Sequence, residues 1–166
     1  MFVYQKEMAM LANSKPVWVL DTNTVMALWV FEDPALQTLR QALEGPDVQL
    51  ASREDALEEF RRVLAYRQFA VPPDRQTDLL AQYASLCELA GAPHGDAPPL
   101  PICRDRDDQK FLEIARDARA SHLVTRDKLL LKLARHRVIR ASYCIVTPEA
   151  MQTQWQKVRS IPGATR

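Results

Sequence analysis

Four short β-prone runs, at residues 17–20, 48–51, 122–125 and 143–147, alternate with longer stretches whose apolar residues recur at helical spacing. This alternation constrains the fold more than any other feature of the chain. Strands of four or five residues, apolar almost throughout, read as strands buried on both faces. Helices between them supply the right-handed crossovers that parallel strands require. The expected fold is therefore α/β, with a short, mainly parallel, twisted sheet covered on both sides. Helices are predicted over 24–30, 34–43, 54–68, 74–90, 108–118 and 128–135, and from Pro148 to about residue 158. Ser52 is the expected N-cap of the 54–68 helix, with Asp55 completing an imperfect capping box. The segment 91–101 holds four prolines and reads as a long loop within one domain. A chain of 166 residues, 47% hydrophobic, is long enough to bury one substantial core. The expected organisation is an N-terminal extension over 1–15, the α/β domain over 16–151, and the end of the last helix with a tail over 152–166.

The topology directs attention to the residues just after each strand, because open parallel sheets bind ligands outside the carboxyl ends of their strands. Carboxylates collect there. Asp21 follows the first run directly, and Asp127 lies two residues after the third. Glu58 and Glu59 sit on the helix after the second run, and Arg104-Asp105-Arg106-Asp107-Asp108 leads into the next helix. Any one of these acids has an ordinary structural role, as a helix cap or a solvated face. Brought together they repel, and a cation between them relieves the repulsion. Oxygen ligands without cysteine or histidine suit a hard ion, Mg²⁺ or Mn²⁺. Such an ion can activate water against a phosphodiester.

Helical geometry separates the two glutamates. At about 100° per residue, with Leu57 at 0°, the apolar face of Leu57, Phe60, Val63 and Leu64 centres near 300°. Glu59 falls near 200°, at the border of that face, and Glu58 near 100°, almost opposite it. Glu59 is thus the residue expected to face a partly enclosed site. The same construction puts Asp108 on the apolar side of the first turn of its helix.

Several function classes are excluded or disfavoured. The four glycines are too scattered for a glycine-rich phosphate loop. The three cysteines contain no CxxC pair, and the histidines lack zinc spacing. Aromatics make up 7% of the chain, too few for an obvious base-stacking platform. The first 15 residues lack the apolar run of a signal peptide or a membrane span. The net charge is only +1, but it is unevenly spread. Residues 16–103 carry 6 basic and 13 acidic side chains, whereas 104–140 carry 11 basic and 6 acidic. An acidic part beside a basic part suits a polyanionic substrate held near a cation.

The segments VWVLDTN (17–23), SREDALEEFRRVLAYRQF (52–69), CRDRDDQKFLEIA (103–115) and LVTRDKLL (123–130) resemble, in order, the four motifs of PIN-domain ribonucleases. Within that family they are most similar to the VapC-like toxins of toxin–antitoxin systems. The resemblance runs from about residue 17 to 151. It implies a PIN-like three-layer α/β/α fold and an Mg²⁺- or Mn²⁺-dependent endoribonuclease leaving 5′-phosphate and 3′-hydroxyl ends. It matches Asp21, Glu59, Asp108 and Asp127 to the family's catalytic, metal-holding acids, with Asp105 as a further acid. It matches Asn23 and Thr125 to supporting polar positions. Arg104, Arg106, Lys110, Arg126 and Lys128 are the candidates to contact RNA phosphates. The implied partners are an RNA substrate, a small antitoxin protein and a second copy of the chain, in the cytoplasm and away from membranes. There are three departures from the pattern. An extra residue between Ser52 and Glu59 keeps Glu58 as an alternative acid. Arg126 stands where a small residue is common. The first 15 residues lie outside the match. Two other functions stay open: an inactive PIN-like module that binds RNA or an antitoxin, and aspartyl-phosphate chemistry at Asp21, which would call for an Asp where Asn23 stands.

Overall fold

The computed structural model describes residues 15–160. The expected extension 1–15 and the end of the expected tail therefore lie almost wholly outside the described residues. Five strands form one parallel sheet: β1 (Val17–Leu20), β2 (Gln49–Ser52), β3 (Cys87–Leu89), β4 (His122–Val124) and β5 (Cys144–Val146), in the spatial order β3-β2-β1-β4-β5. β1 is central. Val19 lies opposite Ala51 on one side and Leu123 on the other. The chain first builds outward from β1 through β2 to β3, then returns to the other side of β1 for β4 and β5. The order thus reverses between β1 and β4.

Alternation along each strand feeds two cores, one on each face. Trp18, Leu20, Leu50 and Val124 point to one face. There they meet α1 (Thr22–Val25) and the wide π-turn Met26–Val30, α2 (Gln37–Glu44), the inward side of α3 (Glu54–Leu64), α4 (Pro73–Leu86) and α8 (Pro148–Arg159). Val19, Ala51, Leu123 and Ile145 point to the other. There they meet α5 (Gln109–Asp117), α6 (Lys128–Lys132) and α7 (Arg137–Ser142). The result is the three-layer α/β/α arrangement. α8 straddles residue 151, with Met151 buried and Trp155 edge-on to Trp18 at 5.4 Å.

The sequence-based expectations need correcting at four places. The helix predicted over 54–68 ends at Leu64, and a separate 3-10 turn follows at Arg67–Phe69. The helix predicted over 74–90 ends at Leu86, and Cys87–Leu89 pairs with β2 as an outer strand. The apolar stripe of Leu79, Leu80, Tyr83 and Leu86 extends in register to Leu89, so periodicity alone continues the helix. Leu89 is in fact exposed at the sheet edge. Ser52 does not cap α3. It is the last residue of β2 and is buried, and Arg53 takes the cap position without a side-chain bond. The short helix α7 was not anticipated.

Candidate active site

Asp21 stands where β1 ends, at the reversal of strand order, where α/β sheets place their ligand crevice. It is 4% exposed and is the N-cap of α1. Thr24 N donates to Oδ1 at 2.9 Å, and Thr125 Oγ1, reaching over from the end of β4, donates to Oδ2. Thr24 Oγ1 donates to the Val124 carbonyl at 3.3 Å, which further ties α1 to β4. Burial raises the Asp21 carboxyl above its ordinary range, the Thr125 and Thr24 bonds oppose the rise, and the charge of Asp127 adds to it.

Asp127 caps α6. Its Oδ1 accepts from Leu129 N at 2.8 Å and Leu130 N at 3.0 Å. Thr125 Oγ1 accepts from Asp127 N at 2.9 Å, so one hydroxyl connects the two aspartates. Asp108 precedes α5 without making a side-chain cap bond. Partial burial, then the charges of Asp127, Asp105, Asp21 and Glu59, push its carboxyl up to about 6. Five acids from four connections therefore share one electrostatic field. Asp105 lies at the exposed rim, where Oδ1 accepts from Asp107 N at 3.0 Å. Gln109 pins this loop by accepting from Cys103 N at 2.7 Å and donating to the Pro101 carbonyl at 3.2 Å.

The two glutamates of α3 differ as their helical angles require. Glu58 is exposed and paired with Arg61, whose guanidinium holds its carboxyl below the usual range. Glu59 faces inward. Its Oε1 accepts from Thr22 Oγ1 at 2.6 Å, and Lys110 Nζ forms an ion pair with Oε2. Asn23 is exposed on the first turn of α1, and its side chain has no hydrogen bond among the described residues. Thr22, Thr24 and the Lys110 pairing were not foreseen. A hydroxyl in the first turn of a helix carries no distinctive sequence signal, and a lysine does not announce its partner.

The basic residues fall into two groups. Arg104, Arg106 and Lys128 are exposed and without an ion-pair partner among the described residues. Lys110 and Arg126 are engaged. Arg126 donates to Glu149 of α8 (Nε–Oε1 2.9 Å) and to Asp33 (3.2 Å), fastening the end of β4 to both segments. Arg53, Arg62, Arg106 and Lys110 line an open groove between α3 and the 102–110 segment.

Carboxylates and hydroxyls, with neither thiolate nor imidazole, form a donor set that suits a hard divalent ion. The repulsion that adds to burial in raising Asp108 is the kind such an ion would offset. In this arrangement no three of these groups among the described residues close around a common point. By the chemistry of their carboxylates, Asp21, Glu59, Asp108 and Asp127 are the residues that would hold such an ion, with Asp105 at the rim.

The fold is thus a parallel α/β domain that gathers carboxylates from four connections at its topological switch point. Over residues 17–129 the chain matches the PIN-domain family, and it is a member of that family. PIN domains are typically nucleases, hence hydrolases, and generally use divalent metals such as Mg²⁺ or Mn²⁺. No curated protein matches the chain significantly. Among the described residues no helix is long and apolar enough to cross a membrane.

Proposed function

We propose that this chain is a divalent-metal-dependent endoribonuclease and the toxin of a toxin–antitoxin pair, acting in the cytoplasm. The observation that carries the nuclease proposal is the Thr125 hydroxyl that joins Asp21 to Asp127 at the switch point of a PIN-family sheet, with Asp108 close enough to both for their charges to add to the effect of its burial. Asp21, Glu59, Asp108 and Asp127 would hold one or two Mg²⁺ or Mn²⁺ ions, with Asp105 in reserve at the rim. Bound there, the metal supplies an activated water and offsets the charge that develops on the phosphate. Thr125 orients Asp21 through its hydroxyl, and Thr22 orients Glu59. Arg104, Arg106 and Lys128 are free to neutralise flanking RNA phosphates, while Lys110 and Arg126 must first leave their present partners. The toxin role rests on the four-motif resemblance, which also carries the expected antitoxin and a homodimer.

The test is cleavage of labelled single-stranded RNA with Mn²⁺ or Mg²⁺, against EDTA, with Asp21→Asn beside the wild type. Metal-dependent cleavage by the wild type alone is the expected result. Equal cleavage by both proteins would overturn the site assignment. An absence of cleavage on a broad RNA panel, together with an absence of metal binding, would favour a binding module for RNA or an antitoxin.

A further inference from the structure

Both oxygens of Glu59 are engaged, one by the Thr22 hydroxyl and the other by the Lys110 ammonium. Lys110 reaches Glu59 from the first turn of α5, two residues beyond Asp108. Its Nζ also donates to the Asp107 carbonyl and lies 5.2 Å from the centroid of the Phe111 ring. The side chains of the pair are only 14% and 20% exposed. Lys110 therefore differs from Arg104, Arg106 and Lys128, which project into solvent. It is a monocation tethered at the wall of the groove beside the acid cluster, on a carboxylate that a divalent ion would need.

We infer that Lys110 is a displaceable internal counter-ion: it neutralises Glu59 in the metal-free protein and competes with the divalent ion for that carboxylate. The inference rests on the metal-dependent reading above. The physical argument is local concentration. A tethered ammonium is always present near its partner, whereas the free ion is present at its bulk concentration. Metal affinity is thereby set by the work of detaching Lys110 as well as by the ligands. An ion bound in its place would bring two charges where Lys110 brings one, to the same carboxylate. Lys110 is in this sense a positioning residue, acting through Glu59.

The experiment is calorimetric titration of the full chain with Mn²⁺, without RNA, for the wild type, Lys110→Met and Arg106→Met. Lys110→Gln serves as a second variant that keeps a hydrogen-bond donor toward Glu59. The expected result is that Lys110→Met and Lys110→Gln bind Mn²⁺ about tenfold tighter or more, within the range by which groups around a metal ligand change affinity. Arg106→Met, which removes an exposed charge nearby, should stay within about twofold, since exposed charges are screened. Unchanged or weaker binding in both Lys110 variants overturns the inference and leaves the nuclease proposal standing. Equal tightening in Arg106→Met also overturns it, because the effect would then be general charge removal. Failure of all the proteins to bind Mn²⁺ overturns the metal-dependent proposal and this inference with it.

Discussion

Asp21 serves two ends that oppose each other. Its carboxylate accepts from Thr24 N and from the Thr125 hydroxyl, which favours the charged form, while burial favours the neutral one and prevails. Asn in its place can still accept from Thr24 N, and the Thr125 hydroxyl can turn to accept from the amide. Asp21→Asn should therefore unfold in urea at or above the wild-type midpoint in the absence of metal, because one repelling charge is gone. Asp21→Ala loses the cap, worth about 1 kcal/mol, and leaves a buried hydroxyl without its acceptor, a loss of about 1–3 kcal/mol. A distinctly lower urea midpoint for Ala than for Asn is expected, and equal midpoints would show that these bonds contribute nothing. At this scale the acids are legible because an acid directly after a buried strand is conspicuous. Thr125 is legible only through the motif resemblance, and Thr22 and Thr24 are not legible, since a first-turn hydroxyl looks like any other. For Lys110 only the charge is visible in the chain, and its ion-pair partner Glu59 lies on another helix.

α3 shows what an element can and cannot reveal before its neighbours are known. Its apolar stripe fixes the helix's rotation, so Glu59 turns toward the site and Glu58 toward water, as the angles of the two residues require. Glu59→Gln should lower RNA cleavage by about 10²-fold or more, the scale of removing one preorganised charged group from an active site. Glu58→Gln should leave cleavage and the thermal midpoint at wild-type values, because an exposed i,i+3 pair is solvent-screened. A reversal of these two results would hand the role to Glu58, the alternative that the extra residue after Ser52 keeps open. The strands β1, β2, β4 and β5 are legible for a related reason: each is a short apolar run closed by polar residues. β3 is three residues long and continues the stripe of α4 without a break, so only its pairing with β2 defines it. α7 is six residues long, and four of them are exposed.

Across the whole molecule, the sheet order buries acids that are far apart in the chain close to one another, and their burial and repulsion should register in global stability. Asp108 titrates near 6 when folded, against an ordinary value of 3.8. Between those values the folded protein keeps a proton that the unfolded chain has released. Stability from this source is complete below about 3.8, falls as pH rises, and is lost above about 6. Asp21 acts in the same direction. Other groups oppose it. The carboxyls of Asp55, beside Arg53, and of Glu149, beside Arg126, are lowered and cost stability on acidification. The imidazole of His122, lowered by burial, does the same as it is forced to charge. The difference between Asp108→Asn and the wild type cancels these shared terms. The metal-free variant should melt progressively higher than the wild type from pH 5 to pH 7, with most of the gain reached by about pH 6.5. Mn²⁺ should reverse the wild-type trend, because its ligands must be deprotonated. At 100-fold over Kd it should add about 2.7 kcal/mol, or about 5–10 °C at the midpoint, and more at pH 7 than at pH 5. That gain should collapse in Asp108→Asn. If the metal-free variant tracks the wild type across this pH range, Asp108 does not carry the repulsion. If Mn²⁺ also raises both midpoints equally, the ion binds elsewhere on the chain.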